Sequence, residues 1–200
     1  MNKARIAVLV SGGGTNLQAL IDAQENGIIQ SGEIKLVISN NPDAYALERA
    51  AKAQIPSAVV TKRALGGQVP FEGAIKVLIA EHKIDIIVLA GFMSILSEDF
   101  TKDYPERILN VHPSLIPSFC GKGYYGLRVH EEALAYGVKV TGATVHFVNE
   151  IPDGGKIILQ KAVEIMDGDT PETLQKRVME QAEWIILPAA VEKISKQMVS

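Results

Sequence analysis

The chain has 200 residues, of which 47% are hydrophobic and 22% charged, and its formal net charge is −3. That is the balance of one globular domain with a sizeable core, and no Lys/Arg run exceeds two residues, which excludes a nucleic-acid groove as the main surface because phosphate-backbone binding needs clustered cations. A single cysteine, Cys120, rules out an internal disulfide. The apolar run Ile6–Val10 is too short for a signal-peptide core or a membrane span, so the expectation is a cytoplasmic protein without membrane contact.

Short apolar, β-branched runs at Arg5–Val10, Ile34–Ser39, Ala58–Thr61, Asp85–Ala90 and Arg107–Val111 predict strands. Between them, Asn16–Gln24, Ala44–Ala53, Pro70–Glu81 and Ser97–Asp103 carry apolar residues at helical spacing. Strands alternating with helices imply right-handed crossovers and a parallel sheet covered on both faces. After residue 112 the rhythm changes. A short helix, Val129–Tyr136, precedes two runs, Val140–Val148 and Lys156–Val163, on either side of a turn-rich Asn149–Gly155. The alternation in the first run suits a more exposed pair near one edge of the sheet. Thr170 or Asp169 caps a long final helix over about residues 170–198, with Pro171 in its first turn and Pro188 expected to kink or restart it. The expected fold is α/β, a Rossmann-like, doubly wound, mostly parallel sheet of about seven strands with helices on both faces and an antiparallel portion in the C-terminal half, in one domain over 1–200.

Three constellations carry chemistry. Ser11-Gly12-Gly13-Gly14-Thr15-Asn16 lies between the first strand and first helix, where glycines let the backbone approach a ligand and free N–H groups point at an anion. Leu17 stands where a dinucleotide fingerprint needs glycine, and Asn40-Asn41 stand where it needs an acid; the Gly-Lys-Ser/Thr of a Walker loop is absent. A mononucleotide-type phosphate site fits better than an unliganded turn. Next, Asn110 and His112 lie two apart at the carboxyl end of the fifth strand, so their side chains point the same way, at the end where open α/β sheets bind ligands. An amide donor beside an imidazole suits a carbonyl oxygen that becomes an oxyanion, and the imidazole can also handle a proton. The third is Asn149–Gly155, in which Asp153-Gly154 signals a turn; a carboxylate brought near His112 would favour its charged form, whereas the plainer alternative is a hairpin turn alone.

Gly91-Phe92-Met93-Ser94-Ile95-Leu96 follows the fourth strand and could line a slot for a flat ring, although such a run more often belongs to a core. His146 reads as a packed, hydrogen-bonded histidine. Cys120 has no basic neighbour closer than Lys122 and is not expected to be a nucleophile. The histidines and the cysteine lack metal-ligand spacing, so no metal is expected.

Taken together, Val8–Gln18, Leu89–Met93, Leu109–Pro117, Gly142–Val148, Asp153–Gly155 and Ile158–Gln160 resemble the phosphoribosylglycinamide formyltransferases of purine biosynthesis, in their small single-domain form. The Asn-x-His-Pro-Ser segment and the late Asp-Gly-Gly resemble folate formyltransferases generally, and the loop ending in Thr-Asn is more specific to the glycinamide enzymes. The resemblance implies direct transfer of the formyl group of 10-formyltetrahydrofolate to the amine of 5'-phosphoribosylglycinamide, through a tetrahedral intermediate. It implies Asn110, His112 and Asp153 as the catalytic trio, with Asp153 keeping His112 protonated. Gly14, Thr15 and Asn16 would hold the phosphate and Glu183 the ribose or glycinamide end; Met93, Ser94, Ile95, Leu96, Ile108, Asn110 and Val148 would frame the pterin slot. The phosphate-binding half would span about 1–105, the folate and catalytic part about 85–165. Partners would be small molecules only, with a monomer or homodimer. Three features depart from the family pattern: Thr61–Pro70 aligns poorly, leaving Lys62 or Arg63 as the folate-contacting base, Ser94 stands where some members carry arginine, and the loop Ser118–Gly126 is longer than in the shortest members.

Other acceptors make different demands. A methionyl-tRNA formyltransferase would need a further C-terminal domain and a basic surface, and a formyltetrahydrofolate hydrolase an N-terminal regulatory domain. A sugar-amine formyltransferase would not be expected to keep the phosphate loop. A non-catalytic nucleotide-binding module would leave Asn110, His112 and Asp153 without a purpose.

Overall fold

In the first strand, β1 (Ala4–Val10), every residue from Ile6 to Val10 is fully buried. Alternate side chains serve two cores: Ile6, Val8 and Val10 join one hydrophobic cluster, Ala7 and Leu9 the other. A strand's period of two makes this the expected pattern for a sheet covered on both faces. The computed structural model describes residues 2–199.

The remaining strands are β2 (Gly32–Ser39), β3 (Ser57–Val59), β4 (Ile86–Leu89), β5 (Ile108–His112), β6 (Val140–Phe147) and β7 (Ile157–Glu164), in the order β3-β2-β1-β4-β5-β6-β7. Pairings from β3 through β5 are parallel, and β5–β6 and β6–β7 are antiparallel. The helices are α1 (Thr15–Glu25), α2 (Tyr45–Lys52), α3 (Lys62–Leu65), α4 (Gln68–Glu81), α5 (Glu98–Asp103), α6 (Leu127–Tyr136), α7 (Pro171–Val178) and α8 (Trp184–Val199). This is the Rossmann-like α/β architecture that the periodicity implies. Chain direction through the sheet reverses between β1 and β4, and the loops leaving these two strands, Ser11–Gly14 and Gly91–Leu96, flank the resulting crevice.

Three expectations need correction. β6 is not an exposed strand: Thr141–His146 are buried, because β5 and β7 flank it and α7 and α8 pack against it, so of this pair it is the edge strand β7 that is largely solvated. α3, a single four-residue turn, fell within the segment that aligned poorly. Pro188 does not restart a helix, since α8 runs through it, and a wide π turn, Met179–Glu183, immediately precedes α8. At the start of this helical segment Thr170, rather than Asp169, is the cap: its hydroxyl accepts from Thr173 N–H at 3.3 Å, while Asp169 binds Arg177. Among the described residues no helix is long and apolar enough to cross a membrane.

Candidate active site

Close backbone packing shapes the glycine loop. Gly14 has φ 71°, and a Cβ there would lie 2.6 Å from that of Ala46, so only glycine fits both the turn and the neighbouring helix. Carbonyls of this loop face α2, with Ala46 N–H donating to Gly12 O at 3.0 Å and Arg49 Nε to Gly13 O at 2.8 Å. No side chain caps α1. Asn16, in its first turn, donates through Nδ2 to Glu183 Oε2 at 2.8 Å. Thus the π turn and the glycine loop meet through two residues expected to bind one substrate. Glu183 is buried, and burial raises its carboxyl pKa, with the Asn16 bond opposing.

The antiparallel half of the sheet brings the other groups together. Register sets Asn110 opposite His146 and His112 opposite Thr144. The β6–β7 connection returns Asp153 to the carboxyl end of β5. There Asp153 Oδ2 lies 3.5 Å from His112 Nδ1, and Oδ1 lies 3.5 Å from His146 Nε2. Gly155 permits this return: a Cβ there would fall 1.7 Å from Phe147 O. Asp153 itself holds a positive φ of 56°, unusual for a residue other than glycine. His146 Nδ1 sits 2.8 Å from Phe147 O and its Nε2 3.2 Å from Asn110 Nδ2. A carbonyl can only accept, so Nδ1 carries a proton, while Nε2 lies between the Asn110 amide and Asp153 Oδ1. One N–H of Asn110 is left over for a ligand.

The long Ser118–Gly126 loop supplies backbone to both reacting groups. Phe119 O lies 2.9 Å from His112 Nε2, and Gly121 N–H donates to Asp153 Oδ2 at 2.8 Å. Burial favours the neutral form of His112 and lowers its pKa; Asp153 and the Phe119 carbonyl oppose this, and His146 adds to it. The nearby carboxylate and the burial act on this ring in opposite directions, and burial is the larger effect. Asp153 shows the opposite balance. Burial pushes its pKa up, yet the His146 bond, the His112 ring and Gly121 N–H bring it below the ordinary value.

These groups face one cleft of about 710 Å³, bordered by Asn16 and Glu183, by Asn110, His112 and Asp153, and by the loop carrying Met93, Ser94 and Ile95. Leu96, Ile108 and Val148 do not border this cleft: Leu96 and Ile108 are buried, and Val148 packs against the same cluster, its N–H bonded to Ile108 O at 2.9 Å. Gly14 and Thr15 adjoin the cleft through Asn16 without bordering it, and Lys62 and Arg63 lie outside it. Lys62 Nζ instead sits 5.9 Å from the Phe71 ring. Cys120 is no activated nucleophile, since burial and Asp153 both raise its thiol pKa. Two histidines gain importance: His146, through Asn110 and Asp153, and His130, fully buried at the cleft wall. Neither ring nitrogen of His130 has a hydrogen-bond partner, and burial, assisted by His112, lowers its pKa to about 4.

That depression sets the acid side of stability. A histidine that titrates near 4 when folded and near its ordinary 6.5 when unfolded binds more protons in the unfolded chain between those values. Stability is therefore full above the unfolded value and declines as pH falls from about 6.5 towards 4, at about 1.4 kcal/mol per unit for one group. Thermal melts at pH 7, 6 and 5 should show falling Tm, with a shallower decline for His130→Gln; parallel declines in both proteins would contradict a titrating His130.

Residues 4–191 match the family described as formyl transferase. The chain is 47% identical over 197 residues to the trifunctional purine biosynthetic protein adenosine-3 of Homo sapiens, an alignment covering 98% of this chain and 19% of that protein. It is 44% identical over 187 residues to phosphoribosylglycinamide formyltransferase of Haemophilus influenzae, covering 94% of this chain and 85% of the relative. The crystal structure of glycinamide ribonucleotide transformylase 1 from Symbiobacterium toebii superposes with a TM-score of 0.90 at 40% identity, covering 98% and 89% of the two chains. The chain thus spans about a fifth of the trifunctional relatives and most of the single-activity ones. It belongs to the formyl transferase family, in the group of the phosphoribosylglycinamide formyltransferases.

Proposed function

We propose that the chain transfers the formyl group of 10-formyltetrahydrofolate to the amine of 5'-phosphoribosylglycinamide. The observation that carries this reading is the convergence of Asn110, His112 and Asp153 on one cleft that Asn16, Glu183 and the Gly91–Leu96 loop also border. A bound acceptor would lie along Asn16 and Glu183, and a bound folate against Met93 and Ile95. The amine attacks the formyl carbon as the carbonyl electrons move to oxygen; the carbonyl then re-forms and the C–N bond to the folate nitrogen breaks, that nitrogen taking back the proton the amine gave up to Asp153 and His112.

The contacts give each group a part. The spare N–H of Asn110 is directed to the growing negative charge on oxygen. His112 starts neutral by burial, with Nε2–H committed to Phe119 O and a bare Nδ1 facing Asp153. A proton from the attacking amine, passed through Asp153, completes the imidazolium. That cation is then held between a carboxylate and a carbonyl, beside the oxyanion. Charge thus appears on His112 as the reaction demands it, instead of standing buried beforehand. The role of His146 is to fix the amide of Asn110 and one oxygen of Asp153.

Replacing the carboxylate tests the proton path. Asp153→Asn should lower kcat by about 10²–10⁴-fold, the usual contribution of a positioned proton-transfer group, with both KM values little changed. A variant with near-normal kcat would remove Asp153 from the chemistry. Asn16→Ala should raise KM for the phosphorylated amine by about tenfold or more, the worth of a hydrogen bond to a charged group, while KM for the folate stays level. An unchanged acceptor KM would count against the glycine-loop end as its site.

A further inference from the structure

The loop Gly91–Leu96 packs Phe92 and Leu96 against the core but presents Met93 and Ile95 with 57% and 68% of their surface exposed. Hydrogen bonds hold the exposed part. Met93 N–H donates to Ser11 Oγ at 2.8 Å, Asn40 Nδ2 donates to Ser94 Oγ at 2.8 Å, and a buried carboxylate grips the far end. That carboxylate is Glu72, on α4, only 5% exposed. Its Oε1 accepts from Ser97 N–H at 2.6 Å and from Gln68 Nε2 at 2.5 Å, and its Oε2 accepts from Ser97 Oγ at 2.5 Å. Gln68 Nε2 also reaches Ile95 O at 3.0 Å. Ser97 in turn caps α5, its hydroxyl accepting from Phe100 N–H at 3.2 Å.

Burying a carboxylate costs several kcal/mol unless hydrogen bonds offset it. An apolar side chain would join α4 to α5 without that cost, but it could not hold the backbone of residues 95–97 at a set position. We propose that Glu72 is a positioning residue for cosubstrate binding: with Gln68 it clamps the end of the Gly91–Leu96 loop and so sets the wall of the cleft against which the folate ring lies. This rests on the assignment of that loop to the folate end.

The test combines steady-state kinetics with both substrates and hydrogen exchange across residues 91–97, on Glu72→Leu, Glu72→Gln and Gln68→Ala. Loss of bonds to a charged acceptor should raise the KM for 10-formyl folate about 10–100-fold in Glu72→Leu, with KM for the phosphorylated amine within about twofold. Glu72→Gln should recover most of the affinity, because an amide keeps an acceptor for Ser97 N–H and gains a donor for its hydroxyl. Gln68→Ala leaves the carboxylate in place and should raise the folate KM about threefold, so it decides the matter if Glu72→Leu does not fold. Exchange in 93–97 should quicken in the Leu and Ala variants. Unchanged folate KM with kcat falling only in step with the folded fraction would reduce Glu72 to a tie in the fold and overturn the proposal; so would unchanged exchange. A parent protein that consumes no folate, with exchange still quickened in the variants, would sink the assignment of the folate end and with it the cosubstrate role, leaving the clamp as a feature of the loop.

Discussion

Asp153 stands between two imidazoles, one oxygen 3.5 Å from His112 and the other 3.5 Å from His146, with Gly121 N–H on the first of these oxygens. Nearly every peculiarity of the C-terminal half serves to bring it there. β6 runs antiparallel to β5 and ends opposite Leu109, and the connection to β7 then folds back to set Asp153 beside His112 and His146. Gly155 admits the close passage of the chain beside Phe147, and Asp153 accepts a left-handed backbone to complete the turn. Such backbone strain is tolerated where the surrounding contacts over-determine it.

The same crowding decides the electrostatics. His112, His130 and Asp153 share one wall of the cleft, where burial makes a charge costly unless it is paired. Burial therefore wins over the single carboxylate for His112 and meets no opposition at His130, while Asp153, with three donors or partial charges around it, stays ionised. At rest Asp153 is ionised, and burial favours the neutral forms of His112 and His130. That is a suitable starting point for a reaction in which an amine gains positive charge while an oxygen gains negative charge.

Much of this was legible in the sequence, and the division follows sequence distance. Strand-end placement of Asn110 and His112, their shared face and the glycine loop before Thr15 all follow from local periodicity and backbone chemistry. The link between Asn16 and Glu183, 167 residues apart, required the resemblance to suggest it, and the structure makes it a direct bond. What local pattern could not supply was register. His146 looks like a packed strand histidine until it pairs with Asn110. Leu96 and Ile108 are apolar residues beside a functional motif, and nothing in their spacing separates a cleft wall from the core they actually fill. The protonation preference of His112 depends on how much water its surroundings exclude, a quantity that no neighbouring residue in the sequence reports. Glu72, likewise, is one acid among several on a helical segment until Ser97 is brought against it.

The central claim is that this cleft joins two reactants through direct formyl transfer. A spectrophotometric assay with 10-formyltetrahydrofolate, with and without 5'-phosphoribosylglycinamide, tests it most directly. Deformylation of the folate that depends on the amine, with the formylated ribonucleotide recovered in equal amount, is the predicted result. Deformylation at the same rate without the amine would make water the acceptor and contradict the account.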